Sequence, residues 1–521
     1  MTTARATALR FLASFASIFF LSSLWAVAVP VFSVPDEVAH ATKGIAQARG
    51  QIVGEEIPGT RHIVVDLPEG YEYDGRILCY ATVEELSASC AVPLGAEGGA
   101  EWFNTWVGAY NPVYYALVSW PSLVLSGNEG VIAMRVASAL VNSLLMAAAI
   151  VVALGAARRT WMPWAVSFLA APMVVYFAGA VNPQGFEFAG AALLWVGGLR
   201  LLQSWSDDND VALRRTTLWA AVAIGALVVS NARATGPLWV LIIAGLCALA
   251  VGWPSLRGML LDRTSIPWLA AVAVPAIFSV AWTLLGGSLS NQAEENDAPL
   301  VGGSVLQGAW FMIRTTPAFI QQAVGYFGWF DAPLPSFIYP VFYIAVAVPV
   351  LVALAALRRR SRLVVVAVVA SSLLVPVAVQ AYSVSQTGII WQGRYGIFLF
   401  LGVVLVSAWL LDRQDGDGMR VLAARLSSVL AGGALAVGAA AFVFVLRRYT
   451  IGLDRPITTM LTEVEWQPPL GWVALTALYL LVTVGAYLGL VLESRRAIRD
   501  APPVPPATLT MSGDDREVVR P

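Results

Sequence analysis

The chain has 521 residues, 58% of them apolar and only 12% charged, and 32 basic against 33 acidic residues leave a net charge of −1. Without a basic tract, that balance argues against nucleic acid as a partner. Apolar residues fall in blocks of about twenty, the length that crosses a ~30 Å hydrocarbon core at 1.5 Å per residue, so the chain reads as an all-α polytopic membrane protein.

The first block, near 9–32, follows Arg5 and Arg10 and resembles a signal peptide. It is longer than a typical signal core, and its Ala-Val-Ala-Val-Pro exit is only a fair cleavage site, so it is expected to remain as the first span. Pro35-Asp36-Glu37-Val38-Ala39-His40 comes next, placing two carboxylates and a histidine where a helix leaves the bilayer. Residues 34–130 form a first long polar segment holding Cys79 and Cys90. If that segment is exported, its compartment allows a Cys79–Cys90 bridge closing a short loop, although spacing alone does not prove one. Within it, Asn111 to Gly127 is apolar but short, and it is broken by Pro112 and Pro121. We read it as a juxtamembrane or re-entrant helix whose Tyr and Trp suit the interface.

Eleven further spans are expected, near 131–155, 161–180, 185–203, 216–231, 236–253, 266–286, 337–357, 363–382, 393–411, 426–446 and 470–492, about twelve in all. With a cytoplasmic N-terminus, every inner connector is then basic. The connectors carry Arg158-Arg159, Arg214-Arg215, Arg257 with Arg263, Arg358-Arg359-Arg360 with Arg362, Arg413 with Arg420 and Arg425, and Arg495-Arg496 with Arg499. Positive charge stays inside, so both termini are expected in the cytoplasm; Arg447-Arg448 is the chief exception. Long outer segments follow at 287–336 and 447–469, the latter with Asp454, Arg455, Glu463 and Glu465. Residues 1–499 are expected to form one transmembrane domain and 500–521 a disordered cytoplasmic tail. The polar mass lies outside and the inner connectors are short, so the working face is expected on the extracytoplasmic side of the cell membrane.

Several residues are candidates for chemistry. Asp36 and Glu37 admit two readings. They can complement the dipole at a helix start, with Ser33-Val34-Pro35-Asp36 as a capping sequence and His40 paired to Asp36 one turn on. Alternatively, a carboxylate at the membrane surface deprotonates an acceptor hydroxyl or holds a cation, with His40 orienting it. No His/Cys metal pattern occurs; an ion at Asp36 and Glu37 would be oxygen-bound Mg²⁺ or Mn²⁺, and a reaction without metal is equally open. Asn182-Pro183-Gln184-Gly185 reads as a turn, yet Glu187 just beyond it is costly in an apolar span unless paired or facing a polar cavity. Gln392-Gly393-Arg394-Tyr395 opens a span on the outer side. Arg394 there either snorkels to head groups or binds a lipid phosphate through its planar fork. Arg135 and Arg233 are weaker candidates of the same kind. The cluster from Tyr326 to Phe330 with Asp331 suits either a sugar face or an aromatic belt.

Five motifs occur in one order: PDExxH after the first span, Asn-Pro-x-Tyr-Tyr at 111–115, the Asn-Pro-x-Gly turn at 182–185, Gly-x-Phe-Gly-Trp-x-Asp-x-Pro-Leu-Pro at 325–335 and Gln-Gly-Arg-Tyr at 392–395. Together they resemble an uncharacterised family of predicted bacterial multi-pass membrane proteins. That family is similar to the GT-C glycosyltransferases, such as protein O-mannosyltransferases and lipid A aminoarabinose transferases. The resemblance, over roughly residues 10–490, implies a polyprenyl-phosphate sugar donor, inverting transfer and a cell-envelope glycan or protein acceptor. It maps an acidic pair of the first outer loop onto Asp36 and Glu37, and an aromatic, proline-containing piece ahead of an arginine onto Asn111 to Tyr115 and Arg135. His40 belongs to the uncharacterised family's pattern alone.

The sequence therefore leads to a GT-C-like membrane glycosyltransferase. Asp36, Glu37 and His40 are the expected catalytic group, and Arg394, Arg135, Tyr114, Tyr115, Asn182, Glu187, Gln392 and Asp331 the expected substrate-binding residues. The competing classes are a transporter or lipid-linked-sugar flippase and a non-catalytic envelope-assembly protein. A transporter would need charge through the midplane of several spans and a repeat, and neither is seen.

Overall fold

The computed structural model describes residues 3–60, 62–96, 102–206, 212–286, 298–414 and 417–500. The expected tail from 501 onward and Asn291 to Glu295 of the second long segment lie outside these residues.

Helix α1 (Thr3–Ala28) ends at a tight turn that leads into α2 (Glu37–Ala48). The face of the bundle carrying α2 also bears a small antiparallel sheet, an addition to the all-α expectation. Its strands are β1 (Glu55–Glu56), β2 (Ile63–Asp66) and β3 (Trp102–Thr105), with Ile63 opposite Thr105. A disulfide joins Cys79 to Cys90 in the same segment. The proline-broken stretch forms α3 (Val113–Val118) and a 3₁₀ turn, Trp120–Leu123. Tyr114, Tyr115 and Val118 point inward while Leu117, Trp120, Leu123 and Val124 stay exposed, as a helix lying in the interface requires. Helix α4 (Gly127–Ala153) then crosses away.

The expected span 161–180 is not one helix. It is α5 (Met162–Ser167), a 3₁₀ turn and α6 (Pro172–Ala178), broken where Pro172 cannot donate to a continuing ladder. Every residue of these pieces is buried, so protein rather than lipid surrounds the irregular backbone. The segment still crosses: Trp161 N–H donates to Asp412 on the face opposite α2, and Val181 N–H donates to Glu37 on the α2 face.

Next come α7 (Pro183–Gln203), α8 (Arg215–Ala232) and α9 (Gly236–Val251). The last meets α10 (Trp253–Leu261) at a 116° bend, so the expected span 236–253 ends two residues early. Gly252 sits in that bend at φ +115°, a conformation open to glycine. Helix α11 (Ile266–Leu285) returns to the α2 face, where α12 (Val305–Gly325) starts from a Ser304/Gln307 capping box within the second long segment. A two-stranded hairpin, β4 (Tyr326–Phe327) and β5 (Ala332–Pro333), leads to α13 (Tyr339–Ala356), α14 (Arg359–Thr387), α15 (Ile397–Asp412), α16 (Asp417–Ile451) and α17 (Trp472–Asp500).

Among the described residues, ten helices are long and apolar enough to cross a membrane, and bent α9–α10 makes an eleventh. Broken α5–α6 supplies one further crossing, in keeping with the expected twelve. Helix α7 is the hub, with 94% of its apolar window buried, whereas α11 and α17 have 11% and 17% and form the lipid-facing rim. Arg10 of α1 pairs with Glu493 of α17 at 2.9 Å, so the first crossing begins and the last one ends on the same face.

Candidate active site on the α2 face

The turn between α1 and α2 carries two non-glycine residues in the left-handed region, Phe32 at φ 65° and Asp36 at φ 63°. Asp tolerates that conformation better than most residues. Asp36 occupies the position before α2 without capping it: its side chain accepts no hydrogen bond from the helix N-terminus. The capping reading thus fails for the carboxylate that seemed best placed for it. The side chain reaches instead to Arg394, whose guanidinium donates to Asp36 Oδ2. Asp36 keeps a 25% exposed side chain, while that of Arg394 is 3% exposed.

Glu37 points elsewhere. Its carboxylate is fully buried against Arg135, whose Nε and Nη2 donate to it at 2.8 and 2.5 Å. The N–H groups of Phe32 and Val181 donate to the same carboxylate at 3.1 and 3.0 Å. Arg135 donates further to the carbonyls of Ala26, Val29 and Pro30 at the end of α1. Glu37, expected to assist catalysis or bind a cation, and Arg135, expected to bind substrate, have their polar atoms committed to one another and to the backbone. A buried ion pair demands that full set of partners. The pair locks α1, α2, α4 and the turn before α7 together.

His40, one turn beyond Asp36, does not pair with it. Its Nδ1 lies 2.7 Å from the Tyr115 hydroxyl, and its ring meets Tyr110 edge-on at 5.7 Å. Burial, followed by the charges of Arg233, Arg394 and Lys43, holds its pKa well below the ordinary 6.5. The imidazole is therefore neutral at pH 7. Arg233, at the end of α8, hydrogen-bonds the hydroxyls of Tyr110 and Tyr395 and lies over the Tyr395 ring at 4.2 Å. The charges of Arg233 and Arg394 thus act on one neutral histidine, an electrostatic setting that favours an anion.

Arg394 itself is placed by the turn that opens α15. Gly393 N–H donates to Gln322 of α12 at 2.8 Å, and a methyl group on Gly393 would lie 2.0 Å from the Phe319 carbonyl oxygen. Only glycine lets the turn approach α12 so closely. Among the described residues, Arg394 Nε and Nη1 are buried without a hydrogen-bond partner, as are Gln392 Oε1, Glu187 Oε1 and both side-chain polar atoms of Gln184. Buried donors of that kind are costly unless something meets them. One turn along α15 and α6, an apolar cavity of about 330 Å³ opens between α6, α12, α13, α14 and α15, lined by residues such as Val174, Val324, Ile397 and Leu401.

The remaining expected site residues brace the fold. Tyr114 receives Asn182 N–H at 2.8 Å and sits 3.1 Å from the Ala180 carbonyl. Asn182 caps α7 through Gln184 N–H and donates to the Pro35 carbonyl at 3.1 Å, tying the α6–α7 turn to the Asp36 turn. Glu187 is buried, with Arg233 as the charge acting on it. Asp331 is committed to other partners. It pairs with Arg448 at 2.8 Å and accepts Thr82 N–H, while Arg448 also donates to the carbonyls of Tyr80, Val83 and Leu86. That demand explains an arginine that breaks the charge rule on this face. Asp36 and Glu37 do not form a common ligand set, and among the described residues no three His, Cys, Asp or Glu side chains gather to hold a metal.

The structure thus brings together Asp36, His40, Tyr115, Gln392 and Arg394, and adds Arg233, Tyr110 and Tyr395. Arg233, in the fifth-to-sixth turn, had ranked as a weaker candidate, and Tyr395 stood inside the Gln-Gly-Arg-Tyr motif without an assigned role.

Fold and site define a multi-pass helical membrane protein with a buried cationic cluster at one membrane face. Residues 19–405 match the family described as "Predicted membrane protein (DUF2142)", and the chain belongs to that family. No curated protein matches the sequence. Among solved structures, ArnT from Cupriavidus metallidurans bound to undecaprenyl phosphate overlays at a TM-score of 0.43 with 15% identity, over 96% of this chain and 78% of that one. The same protein in its apo state gives 0.41 and 14%, over 95% and 78%. Overlays that loose carry no argument about activity.

Proposed function

We propose that the chain is an inverting, GT-C-like membrane glycosyltransferase that moves a sugar from a polyprenyl-phosphate donor to a cell-envelope acceptor. In this reading the α2 face is extracytoplasmic, both termini are cytoplasmic, and the chain resides in the cell membrane. One observation carries it: Arg394 is buried against Asp36 with two further guanidinium nitrogens lacking a hydrogen-bond partner among the described residues. A phosphate oxygen pair fits such a fork, and Arg233 adds charge nearby. The apolar cavity along α15 gives the donor's hydrocarbon chain a place next to its phosphate.

The chemistry follows from those positions. Donor phosphate drawn to Arg394 competes with Asp36 and loosens its carboxylate toward the exposed side. Asp36 takes the proton of the acceptor hydroxyl as that oxygen bonds to the anomeric carbon. The carbon–oxygen bond to phosphate breaks on the opposite side, and the leaving phosphate keeps the electron pair. Positive charge at Arg394 and Arg233 stabilises it as charge develops. Neutral His40 holds the Tyr115 hydroxyl and leaves the cationic charge on the arginines.

The test is sugar transfer by purified chain from a panel of polyprenyl-phosphate sugars. Asp36→Asn should lower kcat about 10²–10⁴-fold without raising donor KM, whereas Arg394→Gln should raise donor KM. Full activity in Asp36→Asn would overturn the mechanism. Movement of an intact lipid-linked sugar across vesicles, without transfer, would replace it with a transporter.

A further inference from the structure

A second site lies at the other end of α15. That helix has 16 residues and so carries the chain about 24 Å from the Arg394 turn to the opposite face. There a pocket of about 340 Å³ is lined by Arg358, Arg360 and Arg413 together with Ser361, Trp409 and Gln414. Its described lining holds no Asp or Glu. Arg360 and Val364 also line a second, apolar cavity of about 640 Å³, so the two adjoin. The apolar part sits in the corner of the 116° bend, walled by Gly245 and Ala248 of α9, Trp253 of α10 and Leu363 of α14.

We propose that this composite site binds an anionic glycerophospholipid from the leaflet opposite the Asp36–Arg394 pair. Its phosphate lies among Arg358, Arg360 and Arg413, and an acyl chain lies in the corner of the bend. Three features combine. The basic pocket supplies charge complementary to a phosphodiester, as basic pockets between spans do at a membrane surface. The adjoining apolar cavity makes the ligand an amphiphile instead of a free ion. Helix α10 lies across the end of α9 with Trp253, Leu260 and Leu261 exposed, which sets this corner at head-group depth.

Ordinary retention of positive charge on the cytoplasmic side accounts for arginines in a connector, but not for their position. Arg358, Arg359, Arg360 and Arg362 crowd the first turn of α14, where no acidic residue stands and the helix dipole is itself positive. Cations are disfavoured there, and a bound phosphate relieves the conflict. Arg360 reaches the Val251 carbonyl only at 3.5 Å, a hold loose enough to yield to a ligand.

The experiment is native mass spectrometry of the full chain in detergent, titrated with dioleoylphosphatidylglycerol, dioleoylphosphatidylcholine or glycerol 1-phosphate. One phosphatidylglycerol should be retained per chain in preference to phosphatidylcholine, and Arg358→Gln with Arg360→Gln should weaken that retention about 30-fold. Gly245→Trp, directed into open space, should weaken phosphatidylglycerol retention by occupying the apolar half. Arg394→Gln should leave it unchanged. Equal retention by the double variant and the native chain, or equal retention of the two lipids, would overturn the proposal. Loss in Arg394→Gln would move the lipid to the α2 face and overturn it too, as would glycerol 1-phosphate binding as tightly as the lipid.

Discussion

Asp36 and Glu37 are neighbours with opposite fates, and the reason is the turn between them. Asp36 sits in the left-handed region before α2, whereas Glu37 is the first residue of the helix, so one carboxylate turns outward to Arg394 and the other inward to Arg135. The sequence showed two acids at a membrane exit but not this division, because the deciding partners lie 98 and 358 residues away. Their replacements should separate cleanly. Glu37→Gln leaves Arg135 buried with an uncompensated charge and should cost ~3–5 kcal/mol, read as a large fall in thermal stability in detergent. Asp36→Asn keeps an amide oxygen that can accept from buried Arg394, at a position 25% exposed, and should cost less, ~1–3 kcal/mol, while removing transfer activity. A stability loss from Asp36→Asn as large as that from Glu37→Gln would contradict this division of labour.

Spans were legible because bilayer thickness fixes a length and apolar blocks announce it, so helices such as α4, α7 and α15 begin or end within a few residues of expectation. Broken elements were not. The run at 161–180 is as apolar as any span, and only the burial of its surroundings reveals that its backbone is interrupted at Pro172. Helix α12 was also hidden, since its composition is too polar for a span and its role is to brace the turn carrying Arg394. Gly393 is the contact that makes this bracing possible. Gly393→Ala should push the turn off α12 at a cost of ~1–3 kcal/mol and should weaken donor binding more than Ala substitution at Gly396, whose nearest neighbour is the Phe400 ring at 3.4 Å. Donor KM for the two variants, measured side by side, checks the ordering.

For the molecule as a whole, two buried bases on α2 set a pH dependence. His40 stays neutral in the folded chain, whereas the unfolded chain takes up a proton near pH 6.5, so stability falls as pH drops below about 6.5, by up to ~1.4 kcal/mol per unit. Burial lowers the Lys43 pKa to about 7 from 10.5, so the unfolded chain holds the extra proton between those values and stability rises with pH across that window. The His40 contribution to the unfolding midpoint should rise between pH 5 and 6.5, and the Lys43 contribution between about 7 and 10. His40→Gln should flatten the climb below 6.5 and Lys43→Met that above 7. An unchanged slope in both variants would show that other groups govern it. One feature also bears on how the chain is made. Arg448 anchors Tyr80 across 368 residues, and Arg394 meets Asp36 across 358. At ~5–20 residues per second, the first polar segment waits roughly 20–70 s after synthesis for either partner, whereas Cys79 and Cys90, 11 residues apart, are both present almost at once. The disulfide is then a temporary splint as much as a permanent one, holding that segment in shape until the late helices arrive to complete the Asp36–Arg394 and Asp331–Arg448 pairs.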